Sequence, residues 1–159
     1  MNKESISVVK RGSRGKEPLN IEKIHEMVEY ACEDISGVSS SQVEMTSGLQ
    51  FYDGMSTDEI QQILIKSASD LISLEHPNYQ YVAARLLLFS LRKQVIDKLW
   101  DHPHIYDHVK LGVEKGVYDH EILNWYDKKD FDRMENWVTH ERDYDFTYAG
   151  LRQVIDKYL

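Results

Sequence analysis

Cysteine, long apolar stretches and familiar motifs are scarce in this sequence, and each scarcity excludes a class of protein. The 159 residues contain one cysteine, Cys32, so no internal disulfide can form, which fits a reducing cytosol. No apolar run approaches the ~20 residues of a membrane span. The opening residues, MNKESISVVKRG, lack the apolar core of a signal peptide. With 42% hydrophobic and 29% charged residues, we expect a soluble, globular, cytoplasmic protein.

Two common nucleotide-binding motifs are also missing. The sequence contains no G-x-x-x-x-G-K-[ST] and no G-x-G-x-x-G, which excludes the two commonest nucleotide-binding folds as far as motifs can. His104 and His108 are spaced one helical turn apart, but no cysteine and no H-E-x-x-H pattern accompanies them, so we expect no metal site. Residues 140–143, His-Glu-Arg-Asp, are interpreted as an ion-pair network rather than as acid–base machinery.

Positive charge is in short supply, and much of it gathers at one end. The net charge is −8, which argues against a general nucleic-acid binder, because such proteins usually carry a basic surface. Residues 1–23 nevertheless hold six lysines and arginines against three glutamates, a net of +3, so the remaining 136 residues carry −11. A basic end on an acidic body indicates a local anion-binding site.

A short hairpin is predicted at this basic end. Residues 6–11 and 16–19 have the pattern of strands, and the glycines and serine at 12–15 are typical of a tight turn. Pro18 has no N–H to donate to a neighbouring strand, so its strand must lie at a sheet edge.

Four helices are predicted to follow the hairpin and to form a bundle beneath it. Asn20 is a good N-cap for the first, after which apolar residues recur at helical spacing. Ser39 with Gln42, and Ser56 with Glu59, have the spacing of capping boxes. In the helix that follows Pro77, the sequence from Val82 to Leu91 is apolar on nearly every side, as in a helix at the centre of a bundle. The predicted helices begin at residues 21, 39, 56 or 57 and just after 77, and the first two end near 35 and 52.

The composition changes near residue 100. Eleven of the 17 aromatic residues lie between Trp100 and Tyr158. We therefore predict two domains, residues 1–97 and a helical segment at 98–159. Its helices are predicted at 105–115, just after 119, at about 130–140 and from about 147. The last segment stops without a polar tail, which is typical of a cut domain, so we expect a fragment or the product of a divided gene.

Three features of the first domain could bind an anion. Lys10 and Arg11 end a strand beside a glycine-containing turn, and both side chains can hold phosphate. Thr57 begins a helix, where free N–H groups favour anions. Lys93 follows the buried helix. Taken singly, each has a plainer explanation, namely a solvated hairpin, a helix cap or a charge that complements a helix dipole. We expect the fold to bring all three together.

The order of the motifs is specific. In sequence they are VKR (9–11), NIEKIH (20–25), QFYDGMST (50–57), PNYQYVAAR (77–85) and LRK (91–93), followed by YDHV (106–109), GVYD (116–119), HERD (140–143), FTY (146–148) and KYL (157–159). Over essentially the whole chain this resembles the ATP cone and, more narrowly, the amino-terminal region of the large (alpha) subunit of class I ribonucleoside-diphosphate reductase.

The resemblance implies a mainly α fold in which a small β-sheet covers a four-helix bundle, with ATP or dATP, accompanied by Mg²⁺, between them. It implies an allosteric role in deoxyribonucleotide synthesis, in which ATP keeps the reductase active and dATP inhibits it by changing how large and small subunits assemble. The implied partners are the rest of the large subunit and the radical-generating small subunit. The implied phosphate contacts are Lys10, Arg11, Thr57 and Lys93. Glu17 and Asn20 would recognise the adenine, and Lys23 and Ile24 would line the pocket near the sugar and base. Leu19 and Gln61 complete the candidate set.

The chain departs from the family pattern in three respects. Its hairpin loop is one residue longer, so the choice of Glu17 over Lys16 rests on matching Glu-Pro-Leu-Asn to Glu-x-Ile-Asn. Gln61 stands where the family often has a histidine close to the sugar. The family's radical chemistry uses several cysteines and a ten-stranded barrel, so with Cys32 alone this chain should hold no catalytic residue and no redox cofactor.

Two alternatives remain open. A stand-alone ATP-cone transcriptional regulator would carry a cysteine-rich zinc ribbon, which is absent from this sequence. A helical subunit-docking domain with a degenerate nucleotide site is the other, and the departure at Gln61 keeps it open.

Overall fold

The computed structural model describes residues 6–10, 15–48, 50–97 and 102–159. These residues form short strands, helices and a 3₁₀ helix at His140–Asp145. The strands are β1 (Ser7–Val9), β2 (Lys16–Pro18) and β3 (Met55–Ser56). The α-helices are α1 (Ile21–Cys32), α2 (Ser40–Gly48), α3 (Thr57–Asp70), α4 (Tyr79–Ile96), α5 (Ile105–Glu114), α6 (Ile122–Trp125), α7 (Lys128–Glu135) and α8 (Tyr148–Tyr158). No helix among the described residues is long and apolar enough to cross a membrane.

The chain divides into two compact units. Unit 1 comprises Met1–Leu91 and Asp143–Leu159, and unit 2 comprises Arg92–Arg142. The last helix, α8, therefore belongs to the same unit as the sheet and the first helices. The predicted domain boundary between residues 97 and 98 stays a prediction.

Unit 1 contains a three-stranded sheet in the order β2-β1-β3. β1 is antiparallel to β2, with Val8 opposite Glu17, and parallel to β3, with Val9 opposite Ser56. The two strands of the predicted hairpin are confirmed, and Pro18 lies on the edge strand as expected. The predicted turn at 12–15 lies outside the described residues except for Gly15, whose φ of +100° is a conformation that glycine adopts readily. β3 was not predicted.

Helix α4 forms the centre of the helical layer of unit 1. Every residue from 82 to 90 is buried except Arg85, which confirms the prediction of a helix covered on nearly all sides. α4 contacts the helices α1, α2 and α3: the ring of Phe89 packs on Tyr30 of α1, the Tyr79 hydroxyl donates to Gln42 of α2, and the Leu86 carbonyl accepts from Gln61 of α3. The mainly α fold with a small sheet is thus confirmed.

The predicted helix ends are less accurate than the starts. α1 begins after Asn20 as predicted but ends at Cys32 rather than at 35, because Asp34 adopts a left-handed φ of +58°. α2 ends at Gly48 rather than near 52. The capping box of Ser56 and Glu59 is confirmed at the start of α3.

The predicted Ser39–Gln42 capping box is replaced by a bridge from α4. Ser39 donates its backbone N–H to the Tyr79 hydroxyl at 3.0 Å, and that hydroxyl donates to the Gln42 side-chain oxygen. Tyr79 is 1% exposed. The hydroxyl therefore joins the start of α2 to α4 and takes the place of the direct side-chain-to-backbone bond of a capping box.

Arg85 links three parts of unit 1. Its Nη1 donates to the Glu33 carbonyl at 2.6 Å, just past the end of α1. Its guanidinium lies 5.2 Å from the ring centre of Tyr144, a cation–π distance. Tyr144 also packs edge-on against Tyr30. These contacts attach residues 143–159 to α1 and α4.

Unit 2 has its own small core around Phe131, which is 2% exposed. The rings of Tyr106 and Tyr126 pack against it. Glu135 accepts the backbone N–H of Ile105 at the start of α5, which joins α5 to α7. α7 spans Lys128–Glu135 rather than about 130–140, because Asp127 and Asp130 form a capping box that starts the helix about two residues earlier than expected.

Candidate functional site

The two parallel strands end side by side. Val9 of β1 lies opposite Ser56 of β3, and the next residues along the two strands are Lys10 and Thr57. Because parallel strands run in the same direction, these two residues follow at the same edge of the sheet. The structure thus brings together two of the predicted phosphate contacts, one from the hairpin and one from a helix start.

Helix α3 begins at this edge. Ser56 accepts the Glu59 N–H at 3.1 Å, and the Glu59 carboxylate accepts the Ser56 N–H at 2.7 Å. The backbone N–H of Ser56, followed by the side chains of Ser56 and Tyr52, hydrogen-bonds the Glu59 carboxylate and holds its pKa below the usual value. Thr57 is half-buried. Its position in the first turn sets its hydroxyl beside the free N–H groups and positive dipole end of α3, a favourable place for an anion.

A clamp from Asp53 holds β3 against β1. The Asp53 carboxylate accepts both the hydroxyl and the backbone N–H of Ser7 at 2.7 Å, across 46 residues of sequence. The Ser7 hydroxyl bond, followed by the Ser7 backbone bond, lowers the pKa of Asp53. Gly54 then donates its N–H to the Ser7 carbonyl at 2.8 Å with φ at +83°. The sequence showed Asp53-Gly54 only as the residues just past the predicted end of the second helix, near residue 52, and this role was missed because its partner lies in a distant strand.

Lys10 and Glu17 form an ion pair within the hairpin. Lys10 Nζ lies 2.6 Å from Glu17 Oε2, and the two side chains are 43% and 37% exposed. Leu19 is half-buried and donates its backbone N–H to the Ile6 carbonyl at 2.8 Å. These contacts set the path of the chain from β2 toward α1.

The predicted base and sugar residues lie at the start of α1. Asn20 caps the helix, with its side-chain oxygen accepting the Lys23 N–H at 3.0 Å. Lys23 is exposed, whereas Ile24 is 9% exposed and belongs to the core. Helix capping explains the presence of Asn20, and core packing explains that of Ile24, without any ligand. The exposed side chain of Lys23 is accessible to a ligand.

The remaining candidates are placed differently. Gln61 is 8% exposed, and its side-chain N–H donates to the Leu86 carbonyl of α4 at 3.1 Å. Gln61 is therefore a contact between helices. Lys93 is exposed in the last turn of α4 and belongs to unit 2. Arg11 lies outside the described residues. The nucleotide roles of all ten candidates stay predictions.

A family model now gives this arrangement a name. The model of the ATP cone domain matches residues 6–94, which is more than half of the chain. The chain belongs to the ATP cone family. All ten candidate residues, from Lys10 to Lys93, fall within the matched range, and so do the strand β3 and its clamp.

Curated relatives extend the similarity beyond the cone. The chain is 44% identical over 156 residues to ribonucleoside-diphosphate reductase 1 subunit alpha of Salmonella typhimurium, covering 98% of this chain and 20% of the relative. It is 43% identical over 159 residues to the protein of that name from Escherichia coli, covering 100% and 20%. It is 40% identical over 156 residues to ribonucleoside-diphosphate reductase subunit alpha of phage T4, covering 97% and 20%. The chain spans about a fifth of the length of these relatives.

Other reactive side chains of the described residues offer little chemistry. Burial raises the pKa of the Cys32 thiol to about 11, so at neutral pH it is not the thiolate that acts as a nucleophile. No group of three histidine, cysteine or acidic side chains is positioned to hold a metal ion within the part of the chain that the structure describes. His104 lies 3.3 Å from Asp132, and His140 lies 4.0 Å from Glu135, which are ion-pair contacts.

An ionisable contact joins α1 and α2 of the cone. His25 Nδ1 lies 2.7 Å from a Glu44 carboxylate oxygen, and Nε2 lies 3.2 Å from Glu29. The hydrogen bond to Glu44, with the charge of that carboxylate, raises the pKa of His25 above 6.5. The folded state therefore binds this proton more tightly than the unfolded chain does. The resulting stabilisation is present below the unfolded pKa and is lost as pH rises through the folded pKa.

We expect His25→Gln to remove this pH dependence. Urea unfolding between pH about 6 and about 8 should show that the stability difference between the wild type and the variant shrinks as pH rises. His76→Gln is the matched control, because His76 packs edge-on against the Tyr79 ring and makes no ion pair within the described residues. A constant difference between the wild type and His25→Gln across this pH range would contradict the assignment.

Proposed function

We propose that this chain is the adenine-nucleotide-sensing regulatory module of a ribonucleotide reductase large subunit. It binds ATP or dATP, with Mg²⁺, where the sheet of unit 1 meets the start of α3. The full protein is an oxidoreductase of deoxyribonucleotide synthesis, and its catalytic residues lie outside this chain. The match to the ATP cone domain and the names of the curated relatives support this proposal.

One observation carries the proposal. The parallel register of β1 and β3 sets Lys10 beside Thr57 at the sheet edge where α3 begins. A lysine, a threonine hydroxyl and a helix N-terminus are three phosphate-binding elements, and here they come from two distant parts of the sequence. If Lys10 were only part of a solvated basic hairpin, it would not need Thr57 and the start of a helix beside it.

The roles of the other residues are those that the resemblance to the ATP cone implies. Arg11 and Lys93 are the other two phosphate contacts of the proposed set. Glu17 and Asn20 read the adenine, while Leu19, Lys23, Ile24 and Gln61 line the sugar and the base. Nucleotide occupancy is then coupled to assembly with the rest of the large subunit and with the small subunit. A coupling free energy of roughly 1–3 kcal/mol is enough for such control.

Calorimetric titration of the 159-residue chain with ATP and with dATP, in the presence of Mg²⁺, tests the site. We expect saturable binding that weakens about tenfold in Lys10→Ala and in Thr57→Ala, because each loses one phosphate contact worth about 1.4 kcal/mol. Lys66→Ala and Thr46→Ala are the matched controls. Lys66 pairs with Asp70 on the exposed side of α3, and the Thr46 hydroxyl donates within α2.

The same titration compares ATP with dATP and also tests a second candidate function. ATP and dATP differ only in the 2′-hydroxyl, so the ratio of their dissociation constants measures discrimination at the sugar. The inward orientation of Gln61 favours the alternative of a subunit-docking domain with a degenerate site. Absence of binding of either nucleotide by the folded chain would overturn the sensor proposal and leave the docking domain.

A further inference from the structure

The Asp53 clamp lies at the opposite end of the strand pair from the proposed phosphate contacts. Asp53 comes just before Gly54 and β3, and its carboxylate binds Ser7, the first residue of β1. Lys10 and Thr57 follow the other ends of the same two strands. Because a strand rises about 3.3 Å per residue, Ser7 and Lys10 are about 10 Å apart along β1. The clamp is therefore too distant to contact a phosphate held by Lys10.

We propose that Asp53 and Ser7 are positioning residues of the nucleotide site, which fix β3 against β1 and thereby hold the Thr57 hydroxyl beside Lys10. The inference rests on the proposed function, because it takes Lys10 and Thr57 as phosphate contacts. It assigns to the clamp a role in ligand binding without any contact between the clamp and the ligand. A polyphosphate held by two groups binds tightly only when the separation of those groups is fixed before it arrives.

The strand β3 has few other means of keeping its register. It consists of Met55 and Ser56 alone, whereas strands usually have about five or six residues. Met55 is 1% exposed and lies opposite Val8, so one face of β3 is anchored in the core. Ser7 holds the segment that leads into β3 through its N–H, its hydroxyl and its carbonyl, the last of which accepts the Gly54 N–H at 2.8 Å. A slip of β3 by one residue would break all three bonds.

The charge of Asp53 distinguishes positioning from a direct electrostatic effect. The hydroxyl and then the backbone N–H of Ser7 lower the pKa of the Asp53 carboxyl, so this group is ionised at neutral pH. If its negative charge acted directly on the phosphates, removing it would strengthen their binding. At about 10 Å, roughly one Debye length, salt screens most of that repulsion. Positioning predicts the opposite sign, because loss of the carboxylate releases β3 and weakens phosphate binding.

Calorimetric titration of the 159-residue chain with ATP, at constant Mg²⁺, tests the inference. We expect Asp53→Ala to weaken ATP binding about threefold to tenfold, at most the loss of one phosphate contact. Asp53→Asn loses the same charge but keeps one acceptor oxygen for Ser7, so its affinity should lie between those of Asp53→Ala and the wild type. Thermal unfolding verifies that each variant is folded before it is titrated.

Asp70→Ala is the matched control for the loss of an acidic side chain. Asp70 pairs with Lys66 at 2.7 Å and lies in the last turn of α3, whereas Thr57 lies in the first. Its variant therefore removes a negative charge and a side-chain contact from unit 1 without touching the clamp. It should change the affinity for ATP by less than about twofold.

A double variant relates the effect of the clamp to Thr57. In the Thr57→Ala background the hydroxyl that the clamp positions is already gone. Asp53→Ala should then weaken ATP binding by less than about twofold, because two changes that remove the same contact are not additive. If Asp53 affected the protein only through its general stability, the same fold-change would be found with and without the Thr57 hydroxyl.

The outcomes separate the inference from the proposed function. If the wild type binds ATP and Asp53→Ala binds it equally or more tightly, the burial of Met55 is enough to place β3, the inference is wrong and the sensor proposal stands. Equal losses from Asp53→Ala in the two backgrounds would also overturn the inference alone. If the folded wild type binds no ATP, the proposed function fails and this inference fails with it.

Discussion

Leu151→Ala should lower the free energy of unfolding of unit 1 by about 2–5 kcal/mol, the range for a leucine removed from a core. Leu151 is 4% exposed on α8, and α8 belongs to unit 1 although residues 92–142 separate its segment from the first segment of that unit. Tyr144 lies earlier in the same segment. Its ring packs edge-on against Tyr30, and the Arg85 guanidinium lies over it. If residues 143–159 complete the fold of unit 1, a cavity in α8 weakens the whole unit.

The distribution of tryptophan makes this measurement specific. All three tryptophans of the sequence lie between residues 92 and 142, within unit 2. When urea unfolding is monitored by the circular dichroism of tyrosine, the signal reports mainly on unit 1. When it is monitored by tryptophan fluorescence, the signal reports on unit 2. Leu74→Ala, at a fully exposed leucine, is the matched control and should change neither transition by more than about 0.5 kcal/mol. A Leu151→Ala transition identical to that of the wild type would place α8 outside the cooperative unit and favour the boundary at 97–98.

Tyr79→Phe should lower the free energy of unfolding by about 1–3 kcal/mol, measured by the same urea titration. The substitution keeps the buried ring and removes only the hydroxyl, which leaves the Ser39 N–H without its acceptor and the Gln42 side-chain oxygen without its donor. Buried or partly buried polar groups that lose their partners retain the desolvation penalty, so the loss exceeds that of an average surface hydrogen bond.

Tyr81→Phe is the matched control for this change. Tyr81 lies in the same helix, and its hydroxyl makes no hydrogen bond with any described residue. It should therefore alter stability by no more than about 0.5 kcal/mol. Equal effects from the two variants would show that the Tyr79 hydroxyl is satisfied as well by water as by α2.

Features that depend on neighbours in sequence were predicted correctly. Asn20 caps α1 through an N–H three residues away, and Ser56 and Glu59 cap α3 over the same separation. The hairpin strands and the buried stretch of α4 were also visible in the pattern of residues. Each of these depends on local hydrogen bonds or on hydrophobic periodicity, which the order of amino acids specifies directly.

Features of the candidate site that join distant segments were only partly predictable. The sequence identified Lys10 as a strand end and Thr57 as a helix start, but not the strand β3 that places them side by side. β3 consists of two residues, Met55–Ser56, too few for a periodic pattern. It is held by the Asp53 clamp on Ser7, and that pairing is a contact across 46 residues.

The orientation of individual side chains depended on packing as well. The nucleotide role of Gln61 stays a prediction, but the contact of its amide with the Leu86 carbonyl across the helix interface was not foreseen. Gln42 was expected to cap its own helix, and it accepts from Tyr79 instead. A buried amide or carbonyl bonds to whichever partner the packed helices bring within reach, and helix spacing alone does not identify that partner.

The sequence by itself determined the class of fold, the starts of the first helices, the basic hairpin and the residue types suited to an anion. The tertiary structure alone decided that β3 pairs in parallel with β1, that Lys10 meets Glu17, and that α8 joins unit 1. The physical reason is the range of the interactions. Capping and amphipathic patterns act within a few residues, whereas parallel pairing, an ion pair across a hairpin and the burial of Leu151 depend on segments that come together only when the chain folds.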